Sequence, residues 1–191
     1  MLIRSRLAPW ALALLSACRC GGAASAGTFD VPRTVDAIVI DGQCTEKSWK
    51  SAFLSPLFAD SHGATAPFTK LLATADDDTL FLAVYVADID IESKGDEVRL
   101  EVGPLHLVVT PKGGTAPPGV RLAVDTDDTI DDPRDYDEEW VSEIAIPWSL
   151  LGTREVPVRA MRVDVGHGEP PHAMAWPPFA KAVLRFGNGN R

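Results

Sequence analysis

The sequence predicts an all-β protein, an antiparallel β-sandwich of about ten short strands with one short helix near residues 45–52. Three observations lead to this prediction. Short apolar or alternating segments recur along the chain, and turn-forming residues separate them. The 15 glycines and 15 prolines among 191 residues indicate many turns. No segment between the strands has the pattern of the crossover helix that a parallel sheet requires.

The clearest strand lies within residues 140–152. Alternation along this segment places four side chains on one face of the strand, Trp140, Ser142, Ile144 and Ile146. Pro147 has no N–H to donate to a neighbouring strand, so the strand is predicted to end there. Trp148 and Leu151 are spaced for one helical turn packed on the sheet, and Gly152 is predicted to end that turn.

The remaining strands follow from apolar runs and alternation. They are predicted at residues 35–41, 53–58, 68–75, 80–87, 97–102, 105–110, 120–124, 158–165 and 183–186. The run at 80–87 is apolar on both faces, which predicts a central strand, and a turn at 76–78 joins it to the preceding strand. Thr45 is predicted to cap the short helix. Residues 112–119 and 167–178 are predicted to be irregular.

The first 17 residues are predicted to be a secretory signal peptide. Arg4 and Arg6 precede an apolar run over residues 7–15, which is too short to span a membrane permanently. The next step has two interpretations. Leu15-Ser16-Ala17-Cys18 resembles the lipobox of bacterial lipoproteins, which predicts lipid attachment at Cys18. The alternative is ordinary cleavage after Ala26, which would leave a soluble periplasmic or secreted protein.

The lipoprotein interpretation defines the domains and the location. Residues 18–34 are expected to be the lipidated end and a flexible tether, and residues 35–191 the sandwich of a membrane-anchored protein of the bacterial envelope. Cys20 in the tether could form a disulfide with Cys44 in an oxidising compartment. The other interpretation of Cys44 is a small apolar residue packed under the sheet.

The charge of the chain restricts its partners. Acidic residues outnumber basic ones by 27 to 18, and the net charge is −9. This balance disfavours nucleic acid and anionic membrane surfaces, so membrane contact is expected only through the lipid. Neutral ligands such as sugars are unaffected by this argument.

Three segments, in this order, resemble the family 9 carbohydrate-binding module and its relatives in the DOMON-like group. They are Ile40-Asp41-Gly42 with Glu46 and Trp49, then Asp77 to Val84, then Trp140 to Trp148. The resemblance covers nearly the whole mature chain. It implies a β-sandwich that binds a saccharide without catalysis, between aromatic side chains, with bound calcium in some members. The sequence departs from the family in one loop and two residues. The loop at residues 89–95 is short and contains no aromatic residue. Arg99 stands where the family has an acidic residue, and His167 stands where it has an Arg.

The candidate binding residues are aromatic side chains and polar neighbours. Sugars stack their C–H faces on flat rings, so Trp176, in a proline-rich segment, is predicted to be the platform, with Tyr85 and Tyr136 lining a cleft. Plain packing is the alternative for each ring. The polar partners are predicted to be His167, Glu143 and Arg99. Glu143 is also a candidate for a structural ion pair with Arg99 or Arg162.

Metal and cofactor sites have weaker signals. A dense acidic loop offers oxygen ligands for calcium, and the alternative is a solvated loop; its aspartates are Asp125, Asp127, Asp128, Asp131 and Asp132. A transition-metal site would use His167, Glu169, His172 and Asp164. A haem site of the DOMON-like kind would draw on Met161, Met174, His106 and His167. No cofactor is predicted with certainty.

No enzymatic activity is predicted. Glycoside hydrolysis needs two carboxylates at a set distance, and the sequence shows no such pair, no nucleophile elbow and no phosphate loop. The leading prediction is an exported protein that binds a saccharide or surface glycan. The second is a sandwich that lacks a sugar site and acts as an interaction or scaffold module with an envelope protein. The short loop at 89–95 favours this second hypothesis, and a haem or metal carrier is the third.

Overall fold

The computed structural model describes residues 27–127, 129–132, 134, 136–166, 170–178 and 180–187. These residues form twelve strands and two short helices. In chain order the elements are β1 (Thr28–Asp30), α1 (Lys47–Lys50), β2 (Phe53–Leu54), β3 (Thr69–Ala75), β4 (Thr79–Ala87), β5 (Glu97–Val102), β6 (Leu105–Thr110), β7 (Gly113–Thr115), β8 (Arg121–Thr126), β9 (Glu139–Pro147), α2 (Trp148–Leu151), β10 (Glu155–Asp164), β11 (His172–Trp176) and β12 (Ala182–Arg185).

The strands form two sheets, which confirms the predicted all-β sandwich. The first sheet has the order β1-β12-β10-β5-β6-β7, and β11 also pairs with β10. The second sheet has the order β2-β3-β4-β9-β8. Within the described part of the chain, neighbouring strands pair antiparallel except β1 and β12, which are parallel.

The hydrophobic core lies between the two sheets. Alternation sends Val98, Leu100 and Val102 of β5 inward, where they meet the inward residues of β4 and β9. The central strand β4 is buried along most of its length, as its apolar run predicts. Its hairpin with β3 is confirmed by the pairing of Leu71 with Val84.

The segment at 140–152 folds as predicted. Trp140, Ile144 and Ile146 of β9 are fully buried in the core. The strand gives way to α2 after Pro147, and Gly152 ends that helix with a φ of 70°. A left-handed backbone of this kind favours glycine, which explains the residue at this position.

The segment at 35–41 is not the strand that its apolar residues predict. It crosses the outer side of the second sheet as irregular chain, and Ile38 and Ile40 pack there with Trp49 of α1. Beneath them lie outward-facing apolar residues of the sheet, Phe81, Ala83 and Ala145. The apolar residues of 35–41 are therefore a cover for the sheet and not one of its strands.

The sandwich begins earlier than predicted. Strand β1 lies in the segment expected to be tether, and Phe29 packs against Trp176 with ring centroids 5.8 Å apart. The predicted boundary at residue 35 is therefore wrong, since residues from 28 onward belong to the sandwich. Strands β7 and β11 were likewise expected to be irregular. The predicted signal peptide, Cys18 and Cys20 lie outside the described residues.

None of the helices in the described residues is long and apolar enough to cross a membrane.

Candidate functional site

The outer side of the first sheet is the candidate binding surface, and we call it the open face. Its side chains come from alternate positions of β5, β6, β10 and β11, and they are Glu97, Arg99, Glu101, His106, Val108, Arg159, Met161 and Ala173. The intervening residues of these strands point into the core. Because rigid paired strands hold every one of these side chains, their relative positions are fixed by the sheet register.

Two adjoining hollows lie on the open face. One has a volume of about 250 Å³ and is bordered by Arg99, Glu101 and His106. The other has a volume of about 150 Å³ and is bordered by Ala59, Ala173 and other residues near β11. Arg159 and Met161 line both hollows, so the two form one elongated depression.

The sheet register brings the two arginines of the open face together. Arg159 lies opposite Glu101, and Met161 lies opposite Arg99, on the paired strands β10 and β5. Arg99 and Arg159 are therefore diagonal neighbours, at roughly 7–8 Å between their backbone positions. Their long side chains can both reach a ligand that lies over Met161.

The charged side chains of the open face differ in how they are paired. Arg99 forms an ion pair with Glu97. Lys181 lies 2.8 Å from Glu101, and its hydrogen bond lowers the pKa of that carboxyl. The half-buried Arg159 has no ion pair with the described residues, and its buried Nε has no hydrogen-bond partner among them. The central cation of this face therefore has an unused donor.

A larger hollow of about 490 Å³ lies beside the ends of β4 and β10, and we call it the end cleft. Its polar side chains are Asp88, Asp90, Asp164 and His172, and prolines form much of its wall. Among the side chains of these described lining residues, only that of His172 is a donor when the carboxylates are ionised. Sugar hydroxyls need both donors and acceptors, so the open face suits a saccharide better than the end cleft.

A buried ion network forms the floor of the end cleft. The fully buried Arg162 donates to Asp88 at 3.0 Å and to Asp164 at 2.5 Å. Burial raises the pKa of Asp88 to about 6 and that of Asp96 to about 7. Oxygen atoms of Asp88, Asp96 and Asp164 lie within 4.8 Å of one another, which is close enough for a shared cation. Arg162 already forms ion pairs with two of them, so we assign this network a structural role.

Trp176 does not form the predicted stacking platform. Only 3% of it is exposed, and its ring packs against Phe29 and Phe53 with centroid distances of 5.8 Å to each. The prediction failed because Trp176 ends strand β11, which was expected to be an open loop. Inward alternation on that strand places the ring in the core.

The two tyrosines lie apart from the open face. Tyr85 is half-buried on the outer side of β4, and its ring lies parallel to that of Phe68 at 5.8 Å. Phe68 is 42% exposed, so this pair presents some aromatic surface beside the second sheet. Tyr136 is 71% exposed in the acidic loop, and it lines neither the two hollows of the open face nor the end cleft.

Glu143 has a structural role, but neither of the predicted arginines pairs with it. It is fully buried on the outer side of β9, beneath the segment that covers the second sheet. Its Oε2 accepts backbone hydrogen bonds from Asp41 at 2.9 Å and from Gly42 at 2.8 Å. The carboxylate fixes the covering segment to the sheet and is closed to a ligand.

Arg99 is the one predicted binding residue that lies on the open face. It lies opposite Met161 on one neighbouring strand and opposite Val108 on the other, and it pairs with Glu97 on its own strand. His167 is outside the described residues. Sequence reasoning missed Arg159, although the alternation of Arg159, Met161 and Val163 along one strand face was visible. A charged residue at an outward position of a core strand was the available signal.

The aspartates of the acidic loop do not line one calcium site. Asp131 receives hydrogen bonds from Lys112 and Ser93, and Asp132 pairs with Arg134. Asp125 and Asp127 instead line a hollow of about 260 Å³ with Glu139, Gln43 and Thr45, and Asp128 lies outside the described residues. Asp131 and Asp132 are therefore paired with cations, whereas the first part of the loop, with Asp125 and Asp127, faces a separate hollow. Calcium binding by the first part stays a prediction.

The alternative metal and haem ligands are also dispersed. Met174 is buried in the core, whereas Met161 and His106 lie on the open face. His172 is 3.4 Å from Asp60, and Asp164 is bound to Arg162.

No protein-family model matches the sequence, and no curated protein matches it. Solved structures do match the fold. A family 9 carbohydrate-binding module from Caldicellulosiruptor kristjanssonii in complex with cellotriose is 14% identical, with a TM-score of 0.59 over 85% of this chain and 96% of that one. The glucose complex of a family 9 module from the same organism is 15% identical, with a TM-score of 0.60 over 86% of this chain and 98% of that one.

A third similar structure is a candidate carbohydrate-binding protein from Bacteroides uniformis. It is 13% identical, with a TM-score of 0.57 over 85% of this chain and all of the other. The fold of this chain is therefore that of a family 9 carbohydrate-binding module, as the resemblance of the three sequence segments predicts.

Proposed function

We propose that this protein binds a saccharide on the open face and catalyses no reaction. The fold supports carbohydrate binding at a general level, since both of the family 9 structures that it matches are saccharide complexes. The observation that supports this location is the elongated depression on bare, rigid strands, with an apolar floor and both donors and acceptors around it.

The proposed mode of binding follows from the chemistry of the lining. The C–H face of a sugar ring lies over Met161 and Ala173, which are apolar and accessible. Arg159 and His106 donate to its oxygens, and Glu101 accepts from its hydroxyls. Two adjoining hollows suit successive units of a chain better than a single compact molecule.

A mutational experiment separates this location from the alternative aromatic surface. Met161→Glu places a charge on the floor of both hollows, and Phe68→Ala removes the exposed ring that stacks on Tyr85. Both variants and the parent chain would be tested against a panel of neutral and acidic oligosaccharides by calorimetry. We expect Met161→Glu to abolish binding and Phe68→Ala to retain it. The reverse pattern would move the site to the second sheet, and a panel without any ligand would contradict the proposal.

A second candidate function is a scaffold or interaction module of the cell envelope. The observation that favours it is the lining of the open face, where no Trp, Tyr or Phe is present among the described residues. Co-purification of one stoichiometric partner protein, without saccharide affinity, would support this function.

Export and lipid attachment at Cys18 are also part of the proposal. The signal-like segment and the lipobox at Leu15 to Cys18 support them. Incorporation of labelled palmitate, its loss in Cys18→Ala, and recovery of the protein in the membrane fraction would test this step.

A further inference from the structure

We infer that the open face selects acidic saccharides, and that Arg159 recognises a carboxylate on the sugar. This inference rests on the proposed function, because it concerns the ligand of the same depression. It adds a chemical class that the saccharide complexes with a similar fold do not suggest.

The guanidinium of Arg159 is the centre of the proposed recognition. A guanidinium carries five N–H donors in a planar fork that matches the two oxygens of a carboxylate. In the described residues the Nε of Arg159 is buried and has no acceptor, although the side chain lines both hollows. None of the nitrogens of Arg159 forms a hydrogen bond or an ion pair with the described residues, so its guanidinium is available to a carboxylate that enters the hollows.

A second feature of the open face is its balance of donors and acceptors. The carboxylates around the depression already have partners: Glu97 pairs with Arg99, Glu101 pairs with Lys181 through one oxygen, and Asp60, beside the smaller hollow, accepts from the backbone of His62 and Ala64. A ligand therefore meets more available donors than acceptors. A neutral sugar offers hydroxyls that both donate and accept, whereas a carboxylate only accepts. The surface accordingly complements a ligand that carries acceptors and negative charge.

A third feature is the position of the second arginine. Arg99 lies directly across from Met161 on the paired strand β5, and it is therefore a diagonal neighbour of Arg159. The Arg99 side chain is 56% exposed, and ion pairs at the surface contribute little stability, so Arg99 can turn from Glu97 to a ligand. A carboxylate above Met161 would then lie within reach of Arg159 on the same strand and of Arg99 on the neighbouring strand.

The floor of the depression distinguishes a saccharide from a small free anion. The hollows of about 250 and 150 Å³ have an apolar floor of Met161, Val108 and Ala173. A small inorganic anion would leave this floor uncovered. A sugar ring covers the floor while its carboxylate reaches Arg159, which uses the whole depression.

The test is a calorimetric titration of the full chain with matched ligands. The probes are oligosaccharides of galacturonate, glucuronate and mannuronate, and the methyl esters of the same oligosaccharides, which have the same ring but no charge. We expect at least one acid to bind about tenfold more tightly than its ester, the difference that one charge-assisted contact provides. Raising the salt concentration should reduce this difference, because exposed charges are screened.

Three variants connect the selectivity to Arg159. Arg159→Gln should remove about tenfold of affinity for the acid and leave the ester almost unchanged. Arg159→Lys keeps the charge but loses the planar fork, so it should recover only part of the selectivity. Arg121→Gln, at an exposed arginine of β8 in the second sheet, is the matched control for net charge and should change neither affinity.

The outcomes separate the inference from the proposed function. Equal affinity for acids and esters, unaffected by Arg159→Gln, would overturn the inference and leave saccharide binding intact. Absence of binding to every acid and every ester would overturn both. Circular dichroism of each variant would confirm folding, and an unfolded Arg159→Gln would leave the parent chain's preference for acid over ester as the deciding result.

Discussion

The two outer faces of this sandwich are both built from alternating strands, but one face is covered by another segment and the other is exposed. On the second sheet, outward positions carry Phe81, Ala83 and Ala145, and the segment that includes Trp49 covers them. On the first sheet, outward positions carry Arg99 and other charged residues, and no segment of the described chain covers them. The comparison shows that the irregular apolar segment at 35–41 closes one face of the sandwich, whereas the described chain leaves the other face exposed.

The covering segment is held by specific contacts as well as by apolar packing. Glu143 binds two of its backbone N–H groups, and Ser48 accepts from the backbone N–H of Val35 at 2.9 Å. Gly42 has a φ of 95°, and a side chain there would come within 2.5 Å of the backbone nitrogen of Asp125. The segment therefore has one defined position on the sheet, and this side of the molecule is structural.

The largest expected difference between the two faces is in stability. Trp49→Ala should lower the free energy of unfolding by about 3–5 kcal/mol, because it removes a large ring that is 95% buried. Arg99→Ala on the open face should change it by less than about 0.5 kcal/mol. Chemical denaturation of both variants measures the contrast. Equal losses would show that the open face is as important to the fold as the covered one.

The second prediction concerns the carboxylate beneath the cover. Glu143→Ala leaves the N–H groups of Asp41 and Gly42 without an acceptor, and should cost about 2–3 kcal/mol. Glu143→Gln is the matched control, since its amide oxygen can accept both hydrogen bonds, and it should cost much less. Urea unfolding distinguishes them. Similar losses in both variants would mean that the charge of Glu143, and not its hydrogen bonds, holds the segment.

Local sequence patterns predicted some elements of this fold and missed others. Alternation identified most strands and the turn at Gly152, because local pattern and burial agree there. It could not show that residues 35–41 lie across a sheet, since an apolar segment suits a strand and a cover equally well. Trp176 was also misplaced, because the local pattern did not show that its proline-rich segment contains a strand. Whether a proline-rich segment contains a strand depends on the partner β10, which is distant in sequence.

The binding site was harder to predict than the fold. Aromatic residues were the natural candidates for sugar contact, yet Trp176 is a core residue, and Tyr85 and Tyr136 lie away from the open face. Arg99 was found only because it departs from a family pattern. Arg159 becomes a candidate binding residue only in the structure. The strand register places it beside Glu101, and its Nε has no acceptor in the described residues. Such pairing between strands that are far apart in the chain is not encoded in any local pattern.

The third prediction concerns pH, and it applies to the ion network at the end cleft. The pKa of Asp96 is raised to about 7 and that of Asp88 to about 6 by burial, so the folded chain binds protons that the unfolded chain has lost. Their contribution to stability should therefore fall as the pH rises from about 4 to about 7. Asp96→Asn cannot titrate.

The difference in unfolding free energy between Asp96→Asn and the parent should thus shift in favour of the variant across that range. Denaturation at several pH values measures it, and using a difference cancels the titrating groups that lie away from Asp96. A difference that stays constant with pH would show that Asp96 is ionised throughout the range.

The smallest expected effect is at Cys44, which packs with the covering segment. Burial raises the pKa of its thiol, and the nearby Glu143 carboxylate raises it further. Iodoacetamide should therefore label Cys44 slowly at pH 8 in the folded protein, and Glu143→Gln should accelerate this labelling modestly. Peptide mass spectrometry follows the site. Rapid labelling in the parent chain would show that the cover opens frequently.

The most direct test of the central claim is a map of ligand contacts by amide NMR. The bound oligosaccharide with the highest affinity would be titrated into labelled protein, and shifts followed at every resolved amide. The account predicts that the largest shifts fall at residues 97–101, 106–108 and 159–161, on the open face. Shifts concentrated around Phe68 and Tyr85, or around the end cleft at Asp88 and His172, would contradict it.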